Sequence, residues 1–347
     1  MDMEKILLIQ TAFIGDAVLT LPMLKYLKER YPCSVIDVIT TPAAREIFAA
    51  SPFTDKVTAY DKRGKDKSLI RLFSLAKNIR QQGYSRIYSP HRSFRSSLIV
   101  ALSGVKETFG FSNASFSTVY KNIVRYNKAH HEVQRNLELA GMGGNDPEWK
   151  IRPELVIEQG IVDKISGYMS DFSGRKIAAI APGSVWATKK FPKDRFIEII
   201  NFLIANSFLI LLIGGEADAS YCSDIASGFR GQVVSTAGRF SIIETVEILK
   251  HCTILISNDS APTHFGMCAG IPVLTIYCST IPGFGFYPYS AESNFVSYDE
   301  LSCKPCGIHG RQECPIKTFE CAHKLNNSTI FNKISSMIGV SGYPENG

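Results

Sequence analysis

Short apolar runs alternate along this chain with longer segments in which apolar positions recur at helical spacing. In the first half, residues 5–11, 35–41, 56–60 and 86–89 predict buried strands. About 17–30, 43–50 and 67–82 predict the helices between them. In the second half, strands are predicted at 177–181, 209–214, 233–236, 254–257 and 273–277. The helix after the first of these puts Phe196, Ile199, Ile200 and Leu203 on one face, with Pro192 near its start, where proline is tolerated.

Strands that alternate with helices predict parallel sheets covered by helices. The pattern restarts near residue 175, after a polar stretch at 143–150 and a short helical region. The expected fold is therefore α/β: two Rossmann-like doubly wound halves facing across a cleft, with ligands beyond the carboxyl ends of the strands. The expected boundaries are 1–170 and 171–325, followed by a helix and tail over 326–347 that periodicity does not place.

The chain has 347 residues, 45% hydrophobic and 20% charged, enough for a substantial core. Its formal charge of +6 suits acidic small molecules or an anionic membrane surface and is too mild to indicate nucleic acid. Asp16 interrupts the apolar start, so a buried strand is expected there rather than a signal peptide. Glu198, Asn201, Asn206 and Ser207 likewise break the apolar region 196–215 into helix, turn and strand. Nine cysteines, an odd count, favour a reducing cytoplasm.

Three strand-to-helix corners carry candidate chemistry. Gly15-Asp16 follows the first strand, where an ionised Asp16 can take a proton from an attacking hydroxyl; the plain alternative is an N-cap aspartate. Pro22, six residues on, predicts a kink or a later helix start. Pro182-Gly183-Ser184, followed by Thr188, Lys189 and Lys190, offers hydroxyls, backbone N–H groups and ammonium charge for a diphosphate, without the order of a P-loop. The alternative there is a solvated basic turn. In Asn258-Asp259-Ser260-Ala261-Pro262-Thr263-His264, an apolar strand ends in small and polar residues that open a helix, a natural seat for a phosphate or simply a well-capped helix. Glu216, after Gly214-Gly215, is placed to accept from ribose hydroxyls or merely begins a helix. The chain contains no D-x-D pair to clamp a metal-bound diphosphate.

Together these segments resemble glycosyltransferase family 9, the bacterial heptosyltransferases of lipopolysaccharide core assembly. The matching stretches are Gly15-Asp16 with Thr20-Leu21-Pro22, Pro182-Gly183-Ser184 with Lys189-Lys190-Phe191-Pro192, Gly214-Gly215-Glu216, and Asn258 to His264 with Thr280-Ile281-Pro282. The resemblance implies a GT-B architecture, acceptor side first and nucleotide-sugar side second. It implies inverting, metal-independent transfer of heptose from ADP-heptose, with no cofactor, to an inner-core sugar on a lipid-linked acceptor. Asp16 would be the base. Ser184, Thr188, Lys189 and the segment Ser260, Ala261, Thr263 and His264 would hold the diphosphate, with Thr280 beside them. Glu216 would bind ribose, and Asp259 would sit near the donor sugar. His91, Arg92 and Arg95, after the fourth strand, are expected to meet acidic groups of the acceptor. Phe191 stands where the family usually has tryptophan, and Pro262-Thr263 replaces the usual pair before the histidine, which leaves another nucleotide sugar open as donor. Peripheral contact at the cytoplasmic face of the inner membrane is implied by the lipid acceptor, and the oligomeric state is left open.

Two other classes stay in view: a nucleotide-sugar epimerase on the same scaffold, and a non-catalytic metal- or nucleotide-binding protein. The latter centres on Cys303, Cys306, Cys314 and Cys321. A C-x-x-C with two further cysteines suits tetrahedral zinc, a disulfide or redox pair, or free thiols; the transfer itself is expected to need no metal.

Overall fold

The computed structural model describes residues 4–340 and divides into two compact units, the first ending at Val156 and the second beginning at Ile157. The first unit runs β1 (Lys5–Gln10), α1 (Ile14–Arg30), β2 (Val35–Thr40), α2 (Arg45–Ala49), β3 (Lys56–Ala59), α3 (Leu69–Gln81), β4 (Arg86–Ser89), α4 (Phe94–Ser103), β5 (Glu107–Phe111), β6 (Asn122–Val124) and α5 (Glu132–Leu139). The second runs α6 (Gln159–Met169), β7 (Lys176–Ala181), α7 (Lys193–Ala205), β8 (Phe208–Leu212), α8 (Ala219–Ala226), β9 (Val233–Ser235), α9 (Ile242–Leu249), β10 (Ile254–Asn258), α10 (Ala261–Ala269), β11 (Val273–Tyr277), β12 (Asn294–Ser297), α11 (Glu320–His323) and α12 (Asn327–Ile338).

Each unit holds a six-stranded sheet in which every pairing is parallel. The first has the order β3-β2-β1-β4-β5-β6, and the second β12-β11-β10-β7-β8-β9. Counted from each unit's own first strand, the two orders are the same. Both sheets reverse direction of growth between their first and fourth strands, at β1/β4 and at β7/β10. In an open doubly wound sheet that switch point is where helices lie on opposite faces and leave a crevice beyond the strand ends. The central strands are buried on both faces, which is why 6–9, 254–257 and 273–276 read as nearly unbroken apolar runs.

The compact units divide fourteen residues ahead of the expected boundary at 170. The cause is α6, whose buried face (Ile165, Met169) belongs to the second unit and packs against α9. Likewise α12 is not a detached tail. Ile330 and Ile334 join the second core, and Phe331 stacks on Phe202 of α7 at 4.6 Å. Residues 341–347 of the expected tail lie outside the described residues.

Helix α1 begins at Ile14 and continues past Pro22 to Arg30, so proline neither delays nor ends it. Asp16 is accordingly not the N-cap. Phe13 occupies that position, and Asp16, three residues on, accepts the Phe13 N–H at 3.2 Å. Three strands escaped the pattern: β5, β6 and β12 are short edge or near-edge strands with mixed burial, and their polar positions blur the apolar signal.

Candidate functional site

The topology collects most of the sequence-predicted residues at the two switch points. In the first unit, β1 delivers Asp16 on the opening turn of α1, and β4 delivers His91, Arg92 and Arg95 around the opening of α4. Asp16 is partly buried, and its carboxyl is pushed up to about 7. Burial is the main cause and the Glu132 carboxylate the second, against which the Phe13 N–H and the Arg92 charge pull down. Glu132 itself lies in a buried polar group on α5. It pairs with Arg135 at 2.8 Å and accepts from Tyr126 Oη at 3.1 Å. Arg135 also donates to the carbonyls of Asn127 and Lys128, so all of its fork is used inside the fold.

The three acceptor candidates differ in role. Arg92 lies over the Tyr126 ring at 4.2 Å, close enough to Asp16 to lower its pKa. Arg95 donates to Tyr60 Oη at 2.8 Å and to the Asp66 carbonyl at 3.1 Å, which ties the 61–66 loop to α4. His91 Nδ1 meets Thr11 Oγ1 at 2.8 Å and Ser96 Oγ at 3.0 Å. Burial first, then Lys62 and Arg92, drives its pKa to about 3, so the ring is neutral. Lys62 opens the basic run Lys62-Arg63-Gly64-Lys65-Asp66-Lys67, which the sequence leaves open between a solvated face and a contact with acidic groups. Its Nζ donates to the Thr11 carbonyl at 2.6 Å, and its charge is coupled to Asp16. Burial, then Arg63 and Arg95, lowers its pKa to about 8.

In the second unit, β7 leads into Ser184 to Lys189 and β10 into Asp259 to His264. Lys189 Nζ meets Asp259 Oδ2 at 2.7 Å, and Thr280 Oγ1, arriving after β11, donates to the same oxygen at 2.7 Å. Both side chains of the ion pair are mostly shielded, at 13% and 12% exposure, so its ammonium is held in place rather than waving in solvent. Ser260 sits at the N-cap of α10 but does not cap it. Its hydroxyl donates to the Asn258 carbonyl at 3.3 Å and makes no cap hydrogen bond to the opening N–H groups of the helix. Among the described residues, the buried His264 Nδ1 has no hydrogen-bond partner. Burial lowers the His264 pKa to about 4, the Asp259 charge opposing and the Lys189 charge adding, so the imidazole is neutral. An uncapped helix end, an orphaned ring nitrogen and a fixed ammonium together suit an anionic ligand.

Other predicted donor residues are spent elsewhere. The Thr188 hydroxyl donates to the Arg311 carbonyl at 3.0 Å and accepts from the Arg311 N–H at 2.8 Å and from Ser279 at 2.9 Å. It therefore clasps the 303–321 segment rather than standing free. Thr263 is buried, with its hydroxyl among Ser257, Thr275 and the Asn258 carbonyl. Ser184 Oγ accepts the Trp186 N–H at 3.3 Å, Ala261 opens α10, and Glu216 lies exposed on the turn after β8. Asn258, which carried no assigned role, builds the corner. Its Nδ2 donates to the Pro182 and Gly183 carbonyls at 2.8 and 3.3 Å, and its Oδ1 accepts from Phe191 N–H at 3.0 Å. A Cβ at Gly183 would lie 2.2 Å from Asp218 Oδ1, so any larger residue there must displace the Asp218 carboxylate. An asparagine at the end of an otherwise apolar strand was the available signal for this clamp.

Cys303, Cys306, Cys314 and Cys321 line one cavity of about 210 Å³, and all four are free thiols. Among the described residues, no group of three or more His, Cys, Asp or Glu stands arranged to hold a metal ion, so the zinc alternative finds no preformed ligand set. The disulfide alternative finds no bond.

Two doubly wound units, one with a polar carboxylate corner and one with an anion-seeking helix end, define a GT-B glycosyltransferase fold. A family model described as glycosyltransferase family 9 (heptosyltransferase) matches residues 72–317, and the chain belongs to that family. It is 25% identical over 297 residues to lipooligosaccharide heptosyltransferase 2 of Haemophilus ducreyi, covering 81% of this chain and 85% of the relative. A solved family 9 glycosyltransferase from Veillonella parvula superposes with a TM-score of 0.84 at 19% identity, over 97% of this chain and 98% of the other. The ADP-heptose lps heptosyltransferase II of Escherichia coli does so with a TM-score of 0.79 at 19% identity, over 96% and 98%. The chain is thus a glycosyltransferase.

Proposed function

We propose that this glycosyltransferase moves heptose from ADP-heptose to the inner core of lipopolysaccharide, with inversion and without a metal. The observation that carries the proposal is the β7/β10 corner, where the uncapped end of α10, the orphaned His264 Nδ1 and Lys189 converge. Family membership and the heptosyltransferase relatives support the sugar and the acceptor.

In this mechanism the second unit holds the donor. Lys189 and the N–H groups of Ser260 and Ala261, at the opening of α10, offset the charge that develops on the departing diphosphate. That positive charge stands where a metal would otherwise be required, in keeping with a sequence that has no D-x-D pair. The neutral His264 donates or accepts one further hydrogen bond, Asp259 and Thr280 keep Lys189 aimed, and Glu216 takes the ribose hydroxyls. Ser184 and Ala261 line the approach, while Thr188 and Thr263 hold the walls. In the first unit, Asp16 removes the proton from the attacking hydroxyl, a role suited to a carboxyl near pH 7. Arg92 faces an acidic group of the acceptor, and His91 and Arg95 keep that corner in shape. Backside attack at the anomeric carbon then gives the inverted product. A lipid-borne acceptor places the reaction at the cytoplasmic face of the inner membrane.

The test is product formation from ADP-heptose and a heptose-deficient lipid acceptor, read by mass spectrometry, with the anomeric configuration read by NMR. Transfer that persists in chelator and inverts the donor linkage is expected. Turnover only with another nucleotide sugar would overturn the donor, and conversion of nucleotide sugar without acceptor would replace transfer by epimerisation.

A further inference from the structure

Helix α3 exposes the wrong residues for a solvated surface helix. Its core face is Leu72, Ala76 and Ile79. At one turn's spacing beside that face, Leu69, Ile70 and Phe73 are 59, 79 and 52% exposed. Three large apolar side chains on the first turns of one helix form a local patch rather than scattered exceptions. The charge around them is equally one-sided. From Lys62 to Arg80 the chain has seven basic residues and one acidic, a surplus equal to that of the whole protein. Arg63, Lys65, Lys67, Arg71 and Lys77 are exposed, and α3 itself contains no acidic residue.

Apolar side chains ringed by lysine and arginine match the layering of an anionic bilayer, where phosphates lie outside acyl chains. A soluble protein partner with an acidic groove would satisfy the charge, but the location favours lipid. The same loop sends Lys62 to the Thr11 carbonyl at the Asp16 corner, and Arg95 of α4 binds the Asp66 carbonyl at its far end. The patch is therefore continuous with the acceptor-side corner. From this we infer that the 62–73 loop and first turns of α3 dock the enzyme on an anionic membrane surface, with Leu69, Ile70 and Phe73 inserted below the phosphates. The choice of a membrane over a protein rests on the proposed lipid-linked acceptor; the binding itself does not require turnover.

The test uses the full chain, without nucleotide, in flotation with phosphatidylcholine vesicles and with vesicles that also contain phosphatidylglycerol. Wild type is expected to float with the anionic vesicles and to be released by high salt. A Leu69→Ser/Ile70→Ser/Phe73→Ser variant is expected to lose roughly tenfold or more in apparent affinity, because the inserted apolar area is gone. A Lys65→Glu/Lys67→Glu variant is expected to lose at least about tenfold, because two attractive charges are reversed. None of these five residues enters the proposed transfer chemistry. Turnover of a detergent-dispersed acceptor should therefore stay within about twofold of wild type, which also reports that the variants fold. Equal flotation of wild type and both variants, or no preference for anionic vesicles, would overturn the inference while leaving the proposed transfer intact. So would unchanged flotation with a loss of self-association in the apolar variant, which would assign the patch to a second copy of the chain. Conversely, vesicle binding without heptose transfer would sink the proposed function and keep the docking face.

Discussion

At the scale of single residues, Asp16 couples stability to chemistry. Its folded pKa, about 7, lies above the ordinary 3.8, so the folded state holds its proton through that interval and the unfolded chain does not. Stability from this group is therefore complete below about pH 4 and is lost as pH rises through 7. Asp16→Asn is expected to match wild type near pH 4 and to be more stable by up to about 4 kcal/mol at pH 8, as read by denaturant titration at both pH values. The same substitution should cut kcat about 10²–10⁴-fold. In wild type the acidic limb of kcat/KM should fall off below about pH 7. A variant with full turnover would remove Asp16 from the role of base. Lys189→Ala separates a second role. It should weaken ADP binding roughly tenfold or more, by loss of a charge-assisted contact, with the fold retained; calorimetry with ADP reads this directly.

At the scale of elements, buried polar clamps hold the loops that the strands deliver. Arg135 joins α5 to the 126–128 segment, and through the Tyr126 ring it supports Arg92. Arg135→Ala leaves Glu132 buried without its counter-charge and should cost about 3–5 kcal/mol in chemical denaturation. A loss under 1 kcal/mol would show that the network is dispensable. Gly183→Ala presses a methyl against Asp218 and should cost about 1–3 kcal/mol. The element pattern also marks the limits of sequence. The runs for β1, β2, β7, β10 and β11 are apolar because both sheet faces are covered, and that periodicity is visible in one dimension. The Thr188 clasp, the Asn258 clamp and the Lys62 contact join residues 123, 76 and 51 positions apart, and no local pattern encodes such pairings.

At the scale of the whole molecule, two histidines buried as neutral rings contribute to acid sensitivity. His91 and His264 have folded pKa values of about 3 and 4, below the ordinary 6.5. The unfolded chain therefore binds protons that the folded state refuses, and stability contributed by these groups falls as pH drops from 6.5 toward 4. His264→Gln should flatten that decline relative to wild type, as followed by melting temperature across pH 4–7. Unchanged slopes would mean that the ring is not buried neutral. Both units also repeat one strand order, which places equivalent corners at β1/β4 and β7/β10. That repetition explains why short glycine-containing corners after the first strand of each half could be found from sequence. Only the fold shows that the residues after β4 and β10 come back beside them.

The amino-acid order alone specified parallel sheets, two doubly wound halves and the small-residue start of α10, because strand burial and helix capping leave local periodic signatures. It also named Asp16, Lys189 and Asp259. Tertiary structure alone decided that Lys189 pairs with Asp259 and that Thr188 and Thr263 are spent on walls. It also decided that burial, and after it Glu132, lifts the Asp16 pKa and that α3 turns apolar side chains outward. Those outcomes depend on which distant atoms exclude water from one another, and desolvation and charge coupling are properties of proximity in space rather than of neighbourhood along the chain.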